Sequence, residues 1–252
     1  MRYRLGKKPA RPGAVDLRFD SLFSAVALPV PPAVFGAQAG VSYGMLANDR
    51  YGDCVEAGAA HETVVMLAAV GRTVRFTDTD VLEDYATITG FVPGEDATDQ
   101  GTDMQVAASY RQKTGVRDAT GTRHKITAYA ALRVGDVGEI ALAAYLMGAA
   151  GFGMQFPSSA EDQFDAGEPW SVVPGDRIEG GHYVPIVGRA ASGNLVCITW
   201  GQSHEVTPGF YQQYCDESIA YVSQEFLSSA SNLSPGGFSL SALETYLREI
   251  DS

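Results

Sequence analysis

The sequence predicts an α+β fold, because helix-period patterns crowd its first half and strand-period patterns its second. Three observations carry that reading. An alanine-rich apolar run covers residues 55 to 70, from Val55 to Val70, and is apolar nearly all round, as a central buried helix is. Two further helical patterns precede Gly115. From Ile126 onward, short apolar runs separated by glycine and proline turns take over.

The first 35 residues hold Pro9, Pro12, Pro29, Pro31 and Pro32, which no continuous helix accommodates, so they read as an extended arm. Within it, 17–27 suits one short strand or turn of helix. Residues 1–19 carry a net charge of +5 and the remainder −17. An acidic body excludes nucleic acid as the main ligand. The basic arm can fold back on that body or reach an acidic neighbour, and its length and prolines favour a protein assembly partner.

Asn48-Asp49-Arg50-Tyr51-Gly52-Asp53-Cys54 leads into the apolar run. Asp53 with Glu56 three residues on forms a capping-box pattern, which puts Cys54 at the first helical position. Unpaired N–H groups and the helix dipole there favour a thiolate. Thr73–Phe76 alternates like a short strand. Asp80 and Glu83 suggest a second capping box, for a helix over 81–89, and Thr102 with Gln105 a third, for a helix from Met104 towards Gly115. Between them, Asp96, Asp99 and Asp103 miss the spacing of a calcium loop and read as a solvated acidic stretch. The second half offers strands at 126–132, 151–156, around His182, at 194–200 and at 218–222. A helix over 139–149 lies among them, a loop follows with Pro157, Gly167, Pro169 and Trp170, and an amphipathic helix over 241–250 closes the chain.

The apolar share of 45% and charged share of 19% suit a globular chain and exclude global disorder. No apolar run reaches membrane-spanning length, and the N-terminus lacks a signal-peptide core, so no membrane partner is expected. Three cysteines make no disulfide framework, which points to a cytoplasmic protein or to a particle assembled in cytoplasm, such as a phage virion. No Cys-x-x-Cys, close histidine pair or phosphate-binding glycine loop occurs, so neither metal nor cofactor is expected.

Downstream, Glu179-Gly180-Gly181-His182-Tyr183 opens a β-branched run ending at Val187-Gly188, and His182 follows Cys54 by 128 residues. At these residues the chain resembles the papain family of cysteine peptidases, whose Cys-to-His separation is roughly 130 to 150 residues. Gly52-Asp53-Cys54 takes the place of that family's Gly-Ser-Cys. Asn48 matches the glutamine of its oxyanion hole, Gly181-His182 its histidine segment, and Thr199-Trp200-Gly201 the end of its Asn-Ser-Trp-Gly signature. The resemblance covers about Leu28 to Tyr211. It implies two lobes with a cleft between them, helical on the left and barrel-like on the right. Residues 1–27 would be an added arm on a domain over 28–252. The left lobe would span about 40–120, the right about 121–230, and the C-terminal helix about 239–250.

The chemistry implied is hydrolysis of a peptide or amide bond, with Cys54 as nucleophile and His182 as acid/base. Asn48 and the Cys54 amide would stabilise the oxyanion, while Gly52, Asp53, Gly181, Tyr183 and Trp200 would line the cleft, Trp200 as a lid over the histidine. Substrates would be peptides or proteins. Four residues oppose turnover. The family's histidine-orienting asparagine falls on Ile198, which accepts no hydrogen bond, and strand alternation would aim Thr199 away from His182. Asp53 and Glu56 set carboxylates beside the thiol, and the Tyr183 ring would narrow the cleft. Cys54 is still expected to be the most reactive thiol, with Cys197 and Cys215 as packing residues, and an asparagine at 198 to raise its reactivity. His61 reads as a satisfied core histidine, His124 and His204 as loop or surface residues. The alternative reading is a catalytically impaired papain-like structural or binding protein. The pattern also resembles uncharacterised papain-like proteins of phages and prophages, which makes a virion component its concrete form.

Overall fold

A computed structural model describes residues 2–23, 29–36, 41–227, 233–237 and 239. The expected closing helix, and the end of the 17–27 segment, lie outside the described residues. The central helix, α1 (Cys54–Ala69), is buried on every side through Leu67, as its all-round apolar sequence requires. Beside it stand α2 (Asp78–Thr89) and α3 (Met104–Lys113), then a hairpin of β1 (Val116–Arg117) and β2 (Arg123–His124). This is the helical half.

The second half builds one antiparallel sheet. Its strands are β3 (Ala128–Ala131), β4 (Ala150–Pro157), β5 (Ile178–Arg189), β6 (Leu195–Thr199), β7 (Gln202–Val206) and β8 (Cys215–Val222), in the order β3-β8-β4-β5-β6-β7. Helices α4 (Val137–Met147), α5 (Ser159–Ala166) and α6 (Pro208–Tyr214) pack against it around the larger apolar core. Among the described residues, no helix is long and apolar enough to cross a membrane.

Several local expectations move. Helix α2 starts three residues early because Thr77 caps it, with Asp80 as the returning partner of the box. Helix α3 is capped by Asp103, whose carboxylate accepts from Gln105 and Val106, and not by Thr102. Asp136 likewise starts α4 at Val137. Thr73–Phe76 forms no strand, and the 157–170 loop contains α5.

The arm lies on its own body, where its composition had favoured a neighbour. Tyr3, Phe19 and Leu22 join the larger core, and Leu17 and Phe19 exchange backbone hydrogen bonds with Ala131 at the edge of β3. Arg2, Arg4 and Arg11 pair with Asp165, Asp99 and Asp103 at 3.1, 3.2 and 2.9 Å. Burial of aromatic and aliphatic side chains holds such a segment better than surface charge does.

Helix α1 meets β5 through Gly58, where an added Cβ would lie 2.4 Å from the Tyr183 ring and 3.4 Å from Pro185. Alanine at an exposed helical glycine stabilises by up to about 1 kcal/mol. Here Gly58→Ala is expected to destabilise by about 1–3 kcal/mol through overpacking. Urea unfolding at unchanged m-value checks it, and a gain in stability would mean the Tyr183 ring gives way freely.

Candidate active site

Cys54 opens α1 as expected, but not through the expected box. Asp53 makes no side-chain cap to the helix; its Oδ1 accepts from Asn48 Nδ2 at 3.0 Å. The other Asn48 amide contact is Tyr51 O at 3.4 Å. The amide assigned to the oxyanion hole is therefore engaged inside its own loop. Asp53 Oδ2 and both Glu56 oxygens have no hydrogen-bond partner, and burial raises both carboxyls, Glu56 to about 8. Burial thus pushes both carboxyls beside the thiol towards their neutral form.

The thiol itself is 1% exposed. Desolvation pushes it up to about 12, against the pull of the Tyr183 and Gly6 backbone amides, which favour the thiolate. Gly6 belongs to the arm. An added Cβ on it would lie 1.8 Å from Gly52 O, so the arm's main chain runs in contact with the loop preceding Cys54. It is stitched to both lobes: Lys7 N–H donates to Gly181 O at 2.9 Å, Lys8 N–H to Thr102 O at 2.9 Å, and Thr102 N–H to Gly6 O at 2.7 Å. Gly52 is held in turn by Asp99, whose carboxylate accepts its N–H and the Tyr85 hydroxyl. Asp99 and Asp103 of the acidic stretch are thus bonded groups, not solvated ones.

His182 is fully buried, and burial pushes its imidazole down to about 3. Its Nε2 shares a 3.0 Å hydrogen bond with Thr199 Oγ1, while Nδ1 has no hydrogen-bond partner and none joins the ring to Cys54. Thr199 was expected on the opposite face. The reason it is not lies in a bulge between Ile186 and Gly188. On the His182 side of that bulge, Ile186 pairs with Cys197, so the even positions of β5 share a face with the odd positions of β6. Ile198 therefore packs the other way, with Val65, Met66 and Val187.

Trp200 stacks on the His182 ring at 4.8 Å, and Tyr3 of the arm stacks on Trp200 at 4.2 Å. Trp200 and Gly201 both have positive φ, as the two central residues of a tight hairpin with the strands' own twist require. Tyr183 does not narrow the cleft. Its ring passes between β5 and α1, and its hydroxyl donates to Glu62, the buried partner of Arg111 at 2.7 Å. His61 bonds Gly44 O at 3.0 Å, as a core histidine should. His124 and His204 are buried, contrary to expectation. His124 sits between Asp118 and Glu225, and His204 against Trp170. A groove of about 760 Å³ bounded by Tyr43, Leu46 and Phe76 includes neither Cys54 nor His182.

No protein-family model matches the sequence, and no curated protein sequence does. Solved structures do match. Xylellain, a cysteine protease from Xylella fastidiosa, is similar with a TM-score of 0.65 at 14% identity, over 88% of this chain and 97% of that one. The procathepsin B S9 of Trypanosoma congolense follows at 0.58 and 12%, over 87% and 86%. The Carica candamarcensis cysteine protease CMS1MS2 gives 0.52 and 9%, over 76% and 99%. The fold is that of the papain-like cysteine proteases.

Two predictions follow from the burial. Folded, Glu56 keeps its proton to about pH 8; unfolded, it ionises near 4.5. The folded chain binds the extra proton between those values, so this group weakens the fold as pH rises from 4.5 to 8. The melting temperature of Glu56→Gln relative to the unmodified protein should climb across that window and level off above it; a flat difference would place Glu56 in contact with water. Cys215 is 8% exposed and its thiol is pushed only to about 11. Iodoacetamide should therefore label Cys215 before Cys54 in the intact chain, reversing the expected order, as peptide mass would show.

Proposed function

We propose that the protein is a papain-like cysteine hydrolase of peptide bonds, held latent by its own arm. The observation that carries this reading is an extended peptide, residues 6–8, bridging the two lobes at the position of Cys54. A cleft that takes main chain in this way, over a cysteine at a helix start, suits a polypeptide substrate. When the arm leaves, water returns to Cys54 and His182. Hydration lowers the thiol and raises the imidazole, so the thiol proton can pass to the ring. The thiolate then attacks the peptide carbonyl carbon. His182 returns the proton to the leaving amine, and water hydrolyses the thioester. Thr199, not residue 198, is the positioning residue for His182. With Asn48 bonded to Asp53, the Cys54 N–H is the remaining donor proposed for the oxyanion.

A second reading, a peptide-gripping component of impaired activity such as a virion part, is favoured by one observation. His182 and Cys54 share no hydrogen bond. Fluorogenic peptide turnover separates the two. The full chain carrying Arg4→Ala and Lys7→Ala should cleave peptides that the unmodified chain leaves intact, and adding Cys54→Ser should abolish the gain. A Cys54 that alkylates freely in the opened chain, with no turnover on any peptide, would favour the second reading.

Within the hydrolase reading, Thr199→Val should lower kcat by roughly 10²–10⁴-fold, the range in which loss of a histidine-orienting group falls, with KM little changed. Ile198→Asn should lower the melting temperature without raising Cys54 reactivity, because its amide would enter an apolar cluster. Increased labelling of Cys54 in Ile198→Asn would restore residue 198 as the orienter.

A further inference from the structure

The arm does more than cover the thiol; it shows what the cleft is shaped to hold. The Lys7 side chain is 0% exposed, with Nζ 2.8 and 3.0 Å from the two carboxylate oxygens of Asp216 and 3.0 Å from Lys8 O. Asp216 stands near the start of β8, its side chain 19% exposed, beside Glu217. The recess is made by absence. An added Cβ on Gly153 would lie 2.3 Å from Lys7 Cε and 2.5 Å from Met104 Sδ, so only glycine on β4 leaves room for the methylene stem. One position earlier, the Gly6 Cα approaches Gly52 so closely that no side chain fits. Across from it, an added Cβ on Gly101 would lie 1.9 Å from Gly6 O. A buried ammonium is tolerated only where a partner and the geometry match it.

The arm's other cationic contacts differ in kind. Arg2, Arg4 and Arg11 are half exposed or more, and such pairs discriminate little. The backbone bonds to Gly181 and Thr102 are blind to sequence. Selection therefore falls on two adjacent positions. We propose that the recess holding Lys7 is the side-chain specificity pocket of this cleft, and that it takes, in place of the arm, an extended peptide with a lysine immediately after a glycine. The proposal rests on the reading of the cleft as a peptide site, but not on turnover.

The test reads the labelling rate of Cys54 by iodoacetamide in full-length chains. Lys7→Met leaves Asp216 facing an apolar stem and should speed labelling by about 100-fold or more, since breaking a buried pair is costly; an unchanged rate overturns the proposal. A free peptide with the sequence of residues 2–12 should then restore protection to the Lys7→Met chain. The same peptide with norleucine in place of Lys7 should need at least about 100-fold higher concentration, and one with alanine in place of Gly6 should not protect. Asp216→Asn in the same chain should remove the preference for lysine over norleucine. Equal protection by the lysine and norleucine peptides overturns the proposal.

Cys197, 0% exposed, reports folding. If it labels in the Lys7→Met chain, the same peptides are compared on Gly6→Ala, whose clash with Gly52 displaces the arm without touching the recess. Lysine-selective protection without turnover would sink the hydrolase reading and leave the pocket standing. Turnover with no lysine preference would do the reverse.

Discussion

Three backbone hydrogen bonds, Lys7 and Lys8 donating to Gly181 and Thr102 and Thr102 donating to Gly6, tie the arm to both lobes at once. They are short and independent of sequence, and their consequence is the removal of water from the cleft. Desolvation moves Cys54 and His182 apart, thiol up and imidazole down. An ion pair between them is disfavoured from both ends. The same burial pushes the Asp53 and Glu56 carboxyls up, towards the neutral form, which weakens the opposition their charge offers to a thiolate.

Behind the thiol the molecule is organised by β5. Its odd positions face α1 and its even positions face the larger core, so Tyr183 and His182, adjacent in sequence, do unrelated work. Tyr183 anchors the lobe interface through Glu62 and Arg111, with the Arg111 guanidinium 4.2 Å from the Tyr221 ring. A hydroxyl and a ring face support that buried pair, although Arg111 Nε has no hydrogen-bond partner.

The periods of the chain made α1, α4 and the strands β3, β4, β5, β6 and β8 legible, because burial on one face or all round leaves its mark on apolar spacing; β7, which alternates with polar residues at the sheet edge, was not. The order of Cys54, His182 and Trp200 was legible for the same reason motifs are: short segments with little freedom. The caps were misplaced by one to three residues, since Thr77, Asp103 and Asp136 lie among neighbours that can also cap, and the path of the chain decides between them. The arm's docking could not be read from its charge, because a basic segment on an acidic body has complementary surface everywhere. What places it is the steric fit of Gly6 and Lys7 among Gly52, Gly101, Gly153 and Gly181, and that exists only once the lobes are assembled.

The face of Thr199 was misread for a different reason. Alternation along β6 is regular, but its phase relative to β5 is set by a single bulge that no pattern in either strand announces. Ile198 is therefore a core residue, and the hydroxyl one position along reaches the ring. A threonine hydroxyl does not act on the ring as a side-chain amide would. A side-chain amide oxygen only accepts, which fixes a proton on Nε2, whereas a threonine hydroxyl can accept from Nε2 or donate to it. Thr199 and the stacked Trp200 thus fix the plane of the imidazole without fixing its tautomer. Which nitrogen carries the proton is left to whatever faces Nδ1, which has no hydrogen-bond partner of its own.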